Sequence, residues 1–274
     1  MSLPGPIDQS AMLGGLRFHY REWPNPGAQA LVLLHGFTGH ARTWDSFAAA
    51  MQAGYHVYAL DQRGHGDSSW ADDYSVDTMV SDLDRFVRAL GLKQFALLGL
   101  SMGGRTAYHY AGTHPEEVER LVIVDIGPDI HPAGATRINT GVQASDVFAS
   151  PDEAVARARQ ANPNADPHES EHRTRNNLML LEDGTWTFRY DRGLRSGERP
   201  LQRPDAAAAW ALLEKIAAPT LLIRGEVSDV LAAETADKMV RTIRGCRMEV
   251  VAGSGHSIPL ERPAGFLEAV RTFL

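Results

Sequence analysis

Short, continuously apolar runs alternate with helical patterns along this chain, and that alternation constrains its fold more than any other feature. "ALVLLHG" at 30–36, "HVYALD" at 56–61, "QFALLGL" at 94–100 and "RLVIVD" at 120–125 are too brief for helices and too uniformly apolar for half-exposed strands. Strands buried on both faces of a parallel sheet read in this way. "TLLIRG" from Thr220 and "RMEVVAG" from Arg247 extend the series, with helical patterns at 232–243 and 263–273. A parallel sheet covered by helices follows. Between 128 and 204 the alternation breaks into "IHPAGATRINTG", "ANPNADPHES" and "LEDGTWTFRYDRG", segments rich in Pro, Gly, Asn and charge. We expect a core domain formed by 1–127 and 205–274, with 128–204 inserted over it as a cap.

The formal charge of −7 disfavours nucleic acid and anionic membrane, which call for clustered Lys and Arg. A small-molecule partner is the better expectation. No apolar stretch approaches the length of a bilayer span. Cys246 is the only cysteine, so no intrachain disulfide can form, and the N-terminus lacks the apolar segment of a secretory signal. The chain reads as cytoplasmic; oligomeric state cannot be read from it.

The run "LLGLSMGG" at 97–104 stops at a serine hemmed in by glycines. Gly99, Ser101 and Gly103 form G-x-S-x-G between a predicted strand and a predicted helix at 102–112, the setting of a nucleophile elbow. On so sharp a turn, larger neighbours would collide with strand and helix, and the hydroxyl is left projecting above the sheet. The helix that follows aims unpaired backbone N–H groups, that of Met102 among them, at the place where negative charge would develop. "LLHGFTGH" at 33–40 is a second strand-to-loop junction, able to supply the Phe37 N–H as the other half of an oxyanion hole. "GSGHSIPLERP" at 253–263 holds His256 just after the last predicted strand, where it can swing over the sheet edge and accept the serine proton. Of the other histidines, His35 lies in the "LLHGFTGH" loop, and His40, His65, His109 and His114 read as loop or helix-surface residues.

"HGFTG", "DQRGHGDS" at 61–68, "GLSMGG" and "GSGHS" together resemble the α/β-hydrolase superfamily in order and approximate spacing, and the resemblance covers nearly the whole chain. It implies an eight-stranded, mostly parallel sheet flanked by helices, with a mainly helical cap after strand six. Within it Asp61, Arg63 and Gly66 look like a structural turn without chemistry. The implied function is that of a cofactor-free serine hydrolase of the esterase or lactonase branch, similar to enzymes of the 2-(acetamidomethylene)succinate hydrolase type. Such an enzyme cleaves an ester, lactone or amide through an acyl-enzyme on Ser101, with carboxylic-ester hydrolysis the first expectation. Carbon–carbon bond hydrolases and perhydrolases share the same triad, and a ligand receptor on the same fold is the alternative from another class.

The imidazole needs a buried acid, and two aspartates close strands on the catalytic side. Asp125 ends "RLVIVD"; Asp229 follows "LLIRGEVS". The superfamily's usual acid stands after strand seven, three residues beyond the glycine, where this chain has Ser228. Asp125 is preferred because it needs no adjustment of the loop, and Asp229 is kept as the alternative acid.

In the cap, "HESEH" at 168–172 satisfies H-E-x-x-H, but Pro167 precedes it, charged residues follow it and no third ligand is evident, so no metal is expected. Phe148, Leu178, Met179, Trp186, Phe188 and Tyr190 are expected to form the cap's own small core. Arg173, Arg175 and Asn176, from the locally basic "HRTRNN", are candidates to enter the cleft and favour a carboxylate-bearing substrate.

Overall fold

Each of the six apolar runs becomes a strand in the computed structural model, which describes residues 3–143, 145–202 and 205–274. An N-terminal hairpin, β1 (Ile7–Leu13) and β2 (Leu16–Trp23), leads into β3 (Gln29–Leu34), α1 (Asp45–Met51), β4 (Tyr55–Leu60) and α2 (Val76–Ala89). Then come β5 (Phe95–Leu100), α3 (Met102–Thr113) and β6 (Val118–Val124). The cap comprises α4 (Pro132–Gln143), α5 (Pro151–Ala161), α6 (Pro167–Asn176), a two-stranded ribbon of β7 (Leu178–Leu180) and β8 (Trp186–Phe188), and α7 (Arg192–Ser196). The chain returns to the core through α8 (Ala206–Leu213), β9 (Thr220–Gly225), α9 (Ala233–Thr242), β10 (Cys246–Val251), α10 (Ile258–Glu261) and α11 (Pro263–Arg271). The cap's expected end at Pro204 lies outside the described residues.

The eight-stranded sheet has the order β1-β2-β4-β3-β5-β6-β9-β10, antiparallel through β1, β2 and β4 and parallel thereafter. Its central strands bury alternate residues on opposite faces. Val32, Leu34, Leu97, Ile123 and Leu222 pack with residues of α2, α3, α8 and α9. Leu31, Leu33, Leu98, Val122 and Ile223 pack with residues of α1 and α11 on the other side. Burial on both faces is the physical reason these strands read as unbroken apolar runs. Among the described residues, no helix is long and apolar enough to cross a membrane.

The cap is tied to the loops that leave β3 and to the segment after β10. Asn177 Nδ2 donates to Thr38 O at 2.9 Å, His40 Nε2 to Arg173 O at 3.0 Å, and the Asp166 N–H to Leu260 O at 2.8 Å. Within the cap, Phe148, Ala154 and Leu178 form a small core with Trp186 and Phe188 against it, as the sequence suggests for four of the six expected residues; Met179 is not part of it. Tyr190 departs from that expectation. It stacks against His65 of the core and edges onto Phe37, because the bridge between His65 and Tyr190 brings the chain after β8 down onto the sheet's loops.

Candidate active site

Ser101 occupies the turn between β5 and α3 with φ 53° and ψ −113°, a conformation that L-residues rarely adopt. The close approach of strand and helix enforces it. A Cβ on Gly99 would lie 2.2 Å from Gly103 O, and one on Gly103 would lie 2.4 Å from Leu34 O, both backbone atoms with nowhere to move. The turn is further held by Ser101 N–H donating to Val124 O at 3.0 Å and Gly103 N–H to His35 O at 3.1 Å. The glycines seen in the sequence are thus required by packing.

His256, on the loop after β10, reaches across the sheet edge. Its Nε2 lies 3.0 Å from Ser101 Oγ and its Nδ1 lies 2.8 Å from Asp125 Oδ2. A carboxylate can only accept, so Nδ1 carries the proton and Nε2 is left to accept from the serine hydroxyl. Asp125 is fully buried at the end of β6, with φ 51°. Its other contacts are the Gly225 N–H on Oδ1 at 3.0 Å and the Ser228 hydroxyl on Oδ2 at 2.5 Å. Ser228 Oγ in turn accepts the Val230 and Leu231 N–H groups, each at 3.2 Å, which leaves its own proton for the carboxylate. The sequence shows Ser228 only as the residue where the usual acid is missing. In the structure it is the partner of the acid on the neighbouring strand.

The structure does not bring Asp229, the alternative acid, to His256. Its carboxylate makes a two-point ion pair with Arg137 of α4, at 2.5 and 2.8 Å, and that hydrogen bonding lowers its pKa. Nor does it cap α9, whose N-cap residue is Ala232.

The N–H groups of Phe37 and Met102, on the two loops flanking Ser101, have no hydrogen-bond partner among the described residues. Beneath them lie histidines that the sequence suggested were loop or surface residues. His35, His40, His65 and His109 are buried instead. His35 accepts the Gln62 N–H on Nε2 at 3.0 Å and donates from Nδ1 to Gly36 O at 2.8 Å, so the neutral ring serves as a backbone brace. Burial lowers its pKa to about 3, and lowers those of His40 and His65 to about 4. Asp61 accepts from the Ala41 and Asp67 N–H groups at 2.5 and 2.9 Å and pairs with His19 Nδ1 at 2.6 Å. Arg63 grips buried Asp82 through two hydrogen bonds of 2.5 and 2.7 Å. These contacts fix the loop carrying Gly66.

Two cavities meet at Ser101. One, about 290 Å³, is walled mainly by Met102, Ile126, Ile130, Leu194, Leu201 and Val230. The other, about 350 Å³, contains His256 and is lined by cap residues including Arg173, Asn177 and Tyr190. Of the three cap residues expected in the cleft, only Arg173 is there. Arg175 turns outward to Asp152 and Glu171, at 2.5 and 2.9 Å, and Asn176 Nδ2 folds back onto His172 O at 2.8 Å. Arg173 and Arg175 are about half a turn of α6 apart and face opposite ways, so a contiguous basic run cannot all face one cavity. Asn177, at the end of the same basic run, also lines this cavity, as do Arg137 and Arg195, which carried no signal in the sequence. In "HESEH", His172 Nε2 binds Asp45 at 2.9 Å while the His168 ring stacks on that of His172, 6.3 Å between centroids.

Residues 29–263 match the α/β hydrolase fold family. The 3-hydroxybutyrate-oligomer hydrolase of Cupriavidus necator is 30% identical, over 94% of this chain and 92% of its own. An esterase of Mycobacterium tuberculosis is 30% identical over 90% of this chain and 83% of its own. The crystal structure of E-2-(acetamidomethylene)succinate hydrolase superposes with a TM-score of 0.88, covering 98% of both chains at 21% identity, which is a likeness of fold.

Proposed function

Because the chain belongs to the α/β hydrolase fold family, we propose that it is a cofactor-free serine hydrolase that cleaves a small-molecule ester, lactone or amide through an acyl-enzyme on Ser101. The observation that carries this reading is the unbroken hydrogen-bond chain from Asp125 through His256 to Ser101, beside two unpartnered N–H groups.

In the first half-reaction His256 Nε2 takes the proton from Ser101 Oγ as that oxygen attacks the substrate carbonyl. The Phe37 and Met102 N–H groups receive the oxyanion, and loss of one such donor costs ~3 kcal/mol of transition-state stabilisation. Nε2 then gives its proton to the leaving oxygen or nitrogen, and that bond to the carbonyl carbon breaks. In the second half-reaction water is deprotonated by the same nitrogen, attacks the acyl carbon and frees Ser101. Asp125 keeps the imidazole in the required tautomer and stabilises the imidazolium at each transfer. Its own orientation is held by the Gly225 N–H and the Ser228 hydroxyl.

A fluorophosphonate probe and a series of p-nitrophenyl esters test the reading. Wild type is expected to be labelled and to hydrolyse at least one ester, and Ser101→Ala to do neither. An unlabelled wild type, or equal labelling of Ser101→Ala, would point instead to a ligand receptor on the same fold.

A further inference from the structure

The two cavities that meet at Ser101 both carry arginine, Arg105 and Arg195 in the smaller, and the position of His256 tells them apart functionally. Phe37, Ser101, Ile138 and Arg195 line both. His256 lines only the larger of the two, whose walls also carry Arg137, Arg173, Ser170, Thr174 and Asn177. That wall has three arginines and no acid. On the serine-hydrolase reading, which this inference rests on, the leaving atom must lie next to His256 Nε2 to receive its proton. The leaving group therefore extends into the cavity that holds Arg173, and the acyl group into the one beside Met102, whose walls are mainly aliphatic apart from Arg105, Asn139 and Arg195.

Among the three arginines, Arg137 is engaged by Asp229, and Arg195 by Asp146 and the Tyr190 hydroxyl. The Arg173 guanidinium has no hydrogen-bond or ion-pair partner among the described residues. Burial lowers its pKa, and no neighbouring carboxylate offsets that effect. Its main chain is anchored, since Arg173 O accepts from His40 Nε2 at 3.0 Å. A half-buried cation without a counter-ion is unfavourable, and a planar guanidinium matches a carboxylate through two parallel N–H contacts.

We infer that the substrate is a hydroxycarboxylic acid acylated on its hydroxyl by a short apolar acid, with the free carboxylate on the leaving group held by Arg173. Ser101 Oγ bonds to the acyl carbon, the ester C–O bond breaks, and the serine proton passes through His256 to the departing oxygen. The hydroxy acid leaves with its carboxylate intact, and water then releases the apolar acid from Ser101.

Two constitutional isomers test the placement of the anion. 3-(Butanoyloxy)propanoate carries its charge on the leaving side, whereas monopropyl succinate carries it on the acyl side. Hydrolysis of each, of methyl 3-(butanoyloxy)propanoate and of p-nitrophenyl butyrate is followed by proton release at constant pH in wild type and Arg173→Gln. Wild type is expected to favour the leaving-side isomer over the acyl-side isomer by about tenfold or more in kcat/KM, the scale of one charged two-point contact. Arg173→Gln is expected to lower the ratio of kcat/KM for the charged ester to that for its methyl ester by about tenfold, chiefly through KM. Equal rates for the two isomers, or preference for monopropyl succinate, would overturn the inference while p-nitrophenyl butyrate hydrolysis keeps the serine-hydrolase reading standing. Failure of wild type on all four esters would overturn both. The isomer comparison in wild type needs no folded variant.

Discussion

Replacing Asp125 by Asn keeps the shape of a fully buried side chain while exchanging one acceptor oxygen for a donor. All three groups that face this carboxylate are donors: the Gly225 N–H, the Ser228 hydroxyl and His256 Nδ1. If the new amide keeps its oxygen toward Gly225, its NH₂ confronts His256, and the ring must accept there and move its proton to Nε2. That proton then points at Ser101 Oγ, and the nitrogen that should take the serine proton is blocked. The expected loss in kcat is about 10³- to 10⁴-fold, or about 4 to 5.5 kcal/mol of transition-state stabilisation. If the amide flips, NH₂ meets the buried Gly225 N–H instead, which costs about 1–3 kcal/mol of stability. Asp229→Asn breaks a partly exposed pair, with Arg137 53% and Asp229 33% exposed, worth ~0–1 kcal/mol of stability and about twofold or less in kcat. Initial rates on a p-nitrophenyl ester, with circular dichroism and thermal melts on both variants, measure the contrast. A large kcat loss in Asp229→Asn beside a near-normal Asp125→Asn, both with native spectra, would refute the assignment.

Ser228→Ala removes one of the three donors to Asp125 and should lower kcat about tenfold at nearly constant KM; an unchanged kcat would show that its hydrogen bond positions nothing. Gly103→Ala forces a methyl to within 2.4 Å of Leu34 O and should cost about 3 kcal/mol, read as a melting temperature lower by about 10 °C; an unaltered melt contradicts the packing argument. His35, His40 and His65 have pKa values of about 3, 4 and 4 in the folded chain because burial disfavours their charged forms. Once unfolded they titrate near 6.5, so stability is complete above that pH and is lost as pH falls toward the folded values. At its steepest the three contribute about 4 kcal/mol per pH unit, while His19 and His172, whose pKa values are raised, titrate the other way. Urea denaturation at pH 7.5, 6 and 5 should show a falling midpoint, and a flat series would refute the buried-neutral assignment.

The buried parallel strands were legible because both their faces are apolar, and the Ser101 turn because packing there admits only glycine at positions such as 99 and 103. The edge hairpin was not. β1 exposes most of "IDQSAML", and an edge strand with polar faces leaves no apolar run to read. His35, His40 and His65 misled because histidine is polar in any composition count, whereas here neutral rings replace water as partners of buried backbone groups. In the cap, the run around Arg173 gave the region of the cleft but not the phase of the helix. Whether Arg173 or Arg175 faces inward depends on how α6 rests on the core, through contacts such as Asn177 to Thr38, and these are made by residues far apart in the chain.

Ser101 and Asp125, at φ 53° and 51°, end adjacent parallel strands and are two of the three non-glycine residues with positive φ among those described. Glycine would relax either backbone, and such strain is worth of the order of 1–3 kcal/mol per residue. At Ser101, whose hydroxyl bonds among the described residues only to His256, that relief has little to set against it, so Ser101→Gly should be more heat-stable than wild type, as a melting temperature will show. A lineage that lost its use for turnover would therefore be free to shed this serine and gain durability by doing so.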